Sequence, residues 1–194
     1  DTGPVPFATL RGAYREQVLG LIAGGADALL IETSQDLLQV KAAVLGAKEA
    51  IAEAGSDVPV WAQVMFETTG ALLLGTEVGA VLTALEPLGV EMIGLNCATG
   101  PAEMSEHVRY LAKHAGVGVS CMPNAGLPIL TSDGAYYPAT PEEMADAHER
   151  FVEEYGLSLV GGCCGTTPAH LEAIVDRVRG RAVITSAMGR SRAS

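Results

Sequence analysis

Apolar positions along the chain alternate between two rhythms. Over Phe7 to Gly24, Leu10, Tyr14, Val18 and Leu21 recur at helical spacing and predict one face of a helix. Asp27 to Thr33 is a short Leu- and Ile-rich run that reads as a strand. Helical spacing returns over Asp36 to Ala54, with Leu37, Val40, Val44, Ala47 and Ile51 inward and Gly55 as the stop. Further strands are expected at Val58 to Phe66, Glu91 to Asn96, Val117 to Met122 and Leu157 to Gly161. Helices are expected between and after them. Thr76 to Leu88 is closed by Pro87 and Gly89, and Pro101 to Ala115 has Pro101 at its first position. Pro141 to Tyr155 starts at Thr140 with Glu143 three residues on, a capping box. Pro168 to Arg179 carries Leu171, Ile174, Val175 and Val178 on one face. A polar loop fills Pro123 to Thr140, and 182–194 reads as a linker or tail.

Five strands, each followed by a helix, with one more helix in front, describe an α/β protein with a parallel sheet covered on its faces. A closed (β/α)8 barrel needs about 250 residues and eight such units. The chain therefore reads as the C-terminal part of a TIM barrel, about five βα units over residues 1–180, with an open sheet as the alternative. Glu32, Cys97, Asn124, Cys163 and Cys164 all fall just after a strand. Barrels and open α/β sheets alike place their sites at the carboxyl ends of strands.

Composition narrows the function. With 194 residues, 48% hydrophobic and 18% charged, the chain has the make-up of a folded domain with a sizeable core. A net charge of −11 repels nucleic-acid backbones and anionic membranes. No apolar run reaches the roughly 18 residues of a membrane span. The start has no basic or apolar leader pattern, so no signal peptide is expected, and without an initiator Met the chain reads as a piece of a longer protein. Four cysteines are few for a disulfide scaffold, and the neighbours Cys163 and Cys164 would form a strained ring, so the reducing cytoplasm is expected.

The cysteines carry the chemistry. Gly161-Gly162-Cys163-Cys164-Gly165-Thr166-Thr167-Pro168 and Gly94-Leu95-Asn96-Cys97-Ala98-Thr99-Gly100-Pro101 each follow an apolar run and precede a helix start. Glycines allow the sharp turn that two adjacent ligands require, and helix N-termini favour negative charge. Three thiolates can hold zinc and leave a fourth position open, as catalytic zinc sites do. A thiol entering there loses its proton without a general base. Sulfur-rich open sites suit attack by a thiolate on an electrophilic carbon, which points to alkyl transfer to a thiol. A closed four-ligand structural site and three inert buried thiols are the other readings. Cys121, inside a strand, is expected to be a buried inert thiol.

Glu32 ends the run Ala28-Leu29-Leu30-Ile31 and faces either a salt bridge or a cationic ligand group. Asn96 and Asn124 are read as turn residues or as makers of a supporting hydrogen bond. His107, His114, His148 and His170 fall on helices, are expected at the surface or at helix ends, and have no metal-ligand spacing.

These two cysteine motifs, with Pro123-Asn124-Ala125-Gly126-Leu127-Pro128 between them and Leu30-Ile31-Glu32-Thr33 before them, resemble the homocysteine S-methyltransferase family. Within it they look most like the homocysteine-binding module of the cobalamin-dependent enzymes that make methionine. The resemblance covers residues 1–180 and implies a zinc-containing (β/α)8 barrel whose first three strands this chain lacks. It implies zinc held by Cys97, Cys163 and Cys164, the homocysteine sulfur on zinc, and the substrate amino group on Glu32. It further implies a methyl group from methylcobalamin on a separate module, recharged from methyltetrahydrofolate on another, all within one longer polypeptide. Two alternatives stand beside it: a free-standing methyltransferase using S-methylmethionine or betaine, and a non-catalytic zinc-binding module.

Overall fold

The computed structural model describes residues 3–132 and 134–181; the expected tail at 182–194 lies outside the described residues. Helix α1 (Phe7–Ala23) precedes strand β1 (Leu29–Ser34) and helix α2 (Leu37–Ala54). The chain continues through β2 (Val60–Val64), α3 (Val78–Leu85), β3 (Met92–Asn96), α4 (Pro101–His114) and β4 (Gly118–Met122). After a hairpin of β5 (Ile129–Thr131) and β6 (Gly134–Tyr136) come α5 (Pro141–Tyr155), β7 (Leu159–Val160) and α6 (Pro168–Val178). The main sheet runs β1-β2-β3-β4-β7, with every neighbouring pair parallel. Each parallel pairing needs a crossover, and the amphipathic helices supply it.

Strand alternation gives the sheet two chemically distinct faces. Val60, Ala62, Val64, Ile93, Leu95, Val119 and Cys121 join the core beneath the helices. The residues between them face the other way. Gln63, Gly94 and Ser120 stand in register there, and the Gln63 amide crosses Gly94 to donate to Ser120 Oγ at 3.0 Å. A Cβ on Gly94 would lie 1.9 Å from that hydroxyl, so glycine is what lets the contact pass. Gly46 similarly lets α1 close on α2, since a Cβ there would meet the Arg11 carbonyl at 2.5 Å.

Helix ends follow the expected chemistry. Asp36 caps α2 by accepting from Leu38 and Gln39, and Gly55 ends it in the left-handed region. Thr140 and Glu143 form the capping box of α5. Other expectations need correction. The loop 123–140 contains the β5–β6 hairpin, which its polar residues and lack of alternation concealed. The last turn of the helix expected to Leu88 tightens to 3₁₀ over Glu86–Leu88, where Pro87 has no N–H to give. Leu21, Leu171 and Val175 are more than two-fifths exposed rather than inward. Their helices pack mainly on one neighbour, α1 on α2 and α6 on α5, and the apolar stripe is wider than that contact.

Two histidines are buried, His148 within its helix, against expectation, and His170 at the helix end expected of it. His148 is fully buried, with Nδ1 2.7 Å from the Met144 carbonyl and Nε2 2.7 Å from that of Gly161. His170 is at a helix start but buried; its Nδ1 accepts from the Thr167 N–H at 3.2 Å and its Nε2–H donates to the Ala139 carbonyl at 2.9 Å. Both ring nitrogens of neutral His170 are paired, whereas neutral His148 has one N–H and donates to only one of its two carbonyls.

Candidate metal centre

Two turns bring the cysteines together. Directly after β3, Cys97 and Ala98 take left-handed φ values of 65° and 60°. The turn is tied by Thr99 N–H to the Cys97 carbonyl at 2.8 Å and by Cys97 N–H to the Met122 carbonyl at 3.2 Å. After β7, Cys163 N–H donates to the Pro123 carbonyl at 2.8 Å, and Gly165 turns the chain at φ 77°. Asn124 then fastens the two later loops, accepting from Cys164 N–H at 3.0 Å, while Ala125 N–H reaches the Cys164 carbonyl at 2.9 Å.

The Sγ atoms of Cys97, Cys163 and Cys164 consequently lie within 4.8 Å of one another, half-buried, with Cys97 and Cys164 3.6 Å apart. Tetrahedral zinc with Zn–S bonds of about 2.3 Å places its sulfurs roughly 3.8 Å apart, so this donor set fits the ion. Among the described residues, these three form the one cluster of His, Cys, Asp or Glu ligand atoms close enough to share a metal. Cys121 is no fourth ligand. It lies on the helix-facing side of β4, buried, with its sulfur 3.6 Å from that of Met104.

Without a metal Cys97 disfavours ionisation. Burial pushes the Cys97 thiol up to about 12; the Ala98 N–H opposes this, and hydrogen bonds with Cys164 and Cys163 add to it. A bound dication reverses that balance, because coordination requires the thiolate. The starts of α4 at Pro101 and α6 at Pro168 follow the cysteine turns closely and favour the same negative charge.

Asn96 is buried beside the cluster. Its Oδ1 accepts from Thr33 N–H at 2.8 Å, and its Nδ2 lies 2.7 Å from Thr33 Oγ1 and 3.8 Å from Cys163 Sγ. Both asparagines thus make the supporting hydrogen bonds expected of them. Glu32, adjacent to Thr33, is exposed and alternates with Leu29 and Ile31, which pack toward the core; it therefore faces away from the helices. The Thr33–Asn96 bonds bring its end of β1 to the cysteine end of β3. Tyr137 was not anticipated. Its ring abuts the backbone of Gly165, next to Cys164, where a Cβ would lie 2.3 Å from the tyrosine Cβ. The only trace of it in the sequence is the aromatic pair Tyr136-Tyr137 in a polar loop.

Comparison with known proteins agrees with this geometry. A family model described as homocysteine S-methyltransferase matches residues 1–178. The chain is 61% identical over 176 residues to a methionine synthase of Mycobacterium tuberculosis (strain ATCC 25618 / H37Rv), and 60% identical over 176 residues to that of Mycobacterium leprae (strain TN). Each match covers 91% of this chain but 15% of the relative, so the chain spans a small part of those proteins. In structure it is similar to the homocysteine methyltransferase MmuM from Escherichia coli. The apo and metallated forms both give a TM-score of 0.70 at 22% identity, covering 91% of this chain and 60% and 54% of theirs. The fold is thus part of a (β/α)8 barrel. With its family model matched over nearly its whole length, the chain belongs to the homocysteine S-methyltransferase family.

Proposed function

We propose that residues 1–180 form a homocysteine-binding domain that transfers a methyl group to the homocysteine thiol to give methionine, with 181–194 as a linker or tail. The observation that carries this reading is the trio of sulfurs, half-buried at the carboxyl end of the sheet, in a member of this family. Cys97, Cys163 and Cys164 hold zinc in this proposal. When bound, zinc supplies a thiolate at neutral pH from a thiol whose free pKa lies near 8.5.

The chain's own residues do the rest. Glu32 offers its carboxylate to the substrate ammonium. Asn124 and Asn96 fix the loops that carry the ligands, and Tyr137 packs against Gly165 beside Cys164. The bond formed is sulfur to methyl, and the donor leaves with the electron pair of the bond it gives up. The methyl donor is methylcobalamin, recharged from methyltetrahydrofolate, both on modules outside this chain. That the methionine synthase relatives extend far beyond the matched segment supports such modules. The protein works in the cytoplasm, where thiols stay reduced.

The test uses the complete gene product. X-ray absorption at zinc should show a new sulfur neighbour when homocysteine is added, and Cys163→Ala should lose zinc and turnover together. An unchanged zinc spectrum, or stoichiometric zinc with normal turnover in the variant, would overturn the assignment.

A further inference from the structure

Thr33, a β-branched residue, sits at φ 57°, a left-handed conformation that such side chains rarely adopt. It belongs to a bulge. Ile31 pairs with Ala62, and the next pair is Ser34 with Val64, so Glu32 and Thr33 together face the single residue Gln63. Bulges bend a strand and re-aim side chains, and Glu32 is one of the two residues in this one. Asn96 holds the bulge from β3, reaching past the end of β2. Its oxygen accepts from the Thr33 N–H, and its nitrogen donates to Thr33 Oγ1. That nitrogen has a second hydrogen, and Cys163 Sγ lies 3.8 Å away. Only 1% of Asn96 is exposed, so water does not compete for the amide.

We infer that Asn96 is a positioning residue that ties the two halves of the site together: it holds the strained bulge that carries Glu32, and it donates to the Cys163 sulfur. The inference rests on the methyl-transfer reading above. The residue type follows from the chemistry. An aspartate would keep the acceptor for the Thr33 N–H, and the Thr33 hydroxyl could turn to donate to it, but it would offer no donor to the sulfur and would add charge beside thiolates. A leucine of similar size would leave the Thr33 N–H unpaired and provide no donor. Asparagine is the residue of this size that offers one acceptor and two donors at one point.

The experiment compares Asn96→Ala, Thr33→Gly and the double variant in the complete gene product. Two readouts are used: KM for homocysteine, and the sulfur-to-metal charge-transfer band of the cobalt(II)-substituted protein, which reports charge on sulfur without turnover. Asn96→Ala should raise KM about tenfold or more and move the band to lower energy. Glycine adopts positive φ without strain, so Thr33→Gly in the Asn96→Ala background should recover most of the KM loss while the band stays shifted. A folded, metal-loaded Asn96→Ala protein with unchanged KM and band would overturn the inference, as would a double variant no better than Asn96→Ala alone. Should Asn96→Ala fail to fold, Asn96→Asp retains the acceptor for the Thr33 N–H and must still shift the band. Absence of any charge-transfer band in the unmutated protein would instead mark failure of the metal reading itself.

Discussion

The sulfurs of Cys97 and Cys164 stand 3.6 Å apart, although 67 residues separate them in the chain. Their strands, β3 and β7, are not neighbours in the sheet; β4 lies between them. In the metal-free protein this pair is the one best placed to oxidise, because Cys163 and Cys164 would have to close a strained ring between neighbours. Treatment of metal-stripped protein with diamide should join Cys97 to Cys164, each thiol giving one hydrogen to the diamide. Zinc-loaded protein should resist. Mass spectrometry after differential alkylation reads the pairing, and a bridge confined to Cys163 and Cys164 would contradict the geometry.

Glu32→Gln keeps the side chain's size and removes its charge. A hydrogen bond to a charged group contributes roughly 1.5–3 kcal/mol, which corresponds to about 10- to 150-fold in affinity. KM for homocysteine should rise by that factor with zinc content unchanged. Equal KM values in the two proteins would remove Glu32 from substrate binding.

Gly94→Ala tests the interior of the sheet. The new Cβ would meet Ser120 Oγ at 1.9 Å and the Ser120 carbonyl oxygen at 2.4 Å, and the latter is backbone. Overpacking of this kind costs about 1–3 kcal/mol, and the Gln63–Ser120 bond is displaced as well. Urea unfolding should show a loss near or above 3 kcal/mol. Gly12→Ala in α1 meets nothing within 4 Å and should instead stabilise by about 0.5–1 kcal/mol. Equal midpoints for the two variants would refute the packing argument.

Burial pushes the His148 imidazole below its ordinary range, with the carbonyls of Met144 and Gly161 pulling partly back. Below pH 6.5 the unfolded chain therefore binds a proton that the folded chain does not. This contribution to stability is complete above pH 6.5 and is lost as pH falls through the folded value. The urea midpoint should drop between pH 7 and 5, and less steeply in His148→Gln. A steeper fall in the variant would show that the sign is wrong.

Cys121 is fully buried, and burial pushes its thiol well above the ordinary range. Iodoacetamide should modify it in native, metal-stripped protein only as fast as the chain opens. Labelling of Cys121 at the rate of Cys163 would show that β4 is not closed over it.

The chain's rhythm of apolar residues determined much of this protein. Helical spacing and short apolar runs located α2, α4, α5 and the parallel strands, because each residue's face follows from its place in the repeat. The capping residue Thr140 and the stop at Gly55 were readable because caps are local chemistry. The Gly-rich cysteine motifs exposed the candidate site for the same reason. Other features had no local signature. The β5–β6 hairpin, the burial of His148 and the packing of Tyr137 against Gly165 all depend on what lies opposite them.

Periodicity states which way a side chain points but not what it meets. That Cys97 meets Cys163 and Cys164, and that Asn96 reaches past β2 to a strained Thr33, was decided only when five strands took their order and register. Order and register arise from the packing of the whole sheet against its helices, so contacts between residues far apart in the chain exist only in the tertiary structure.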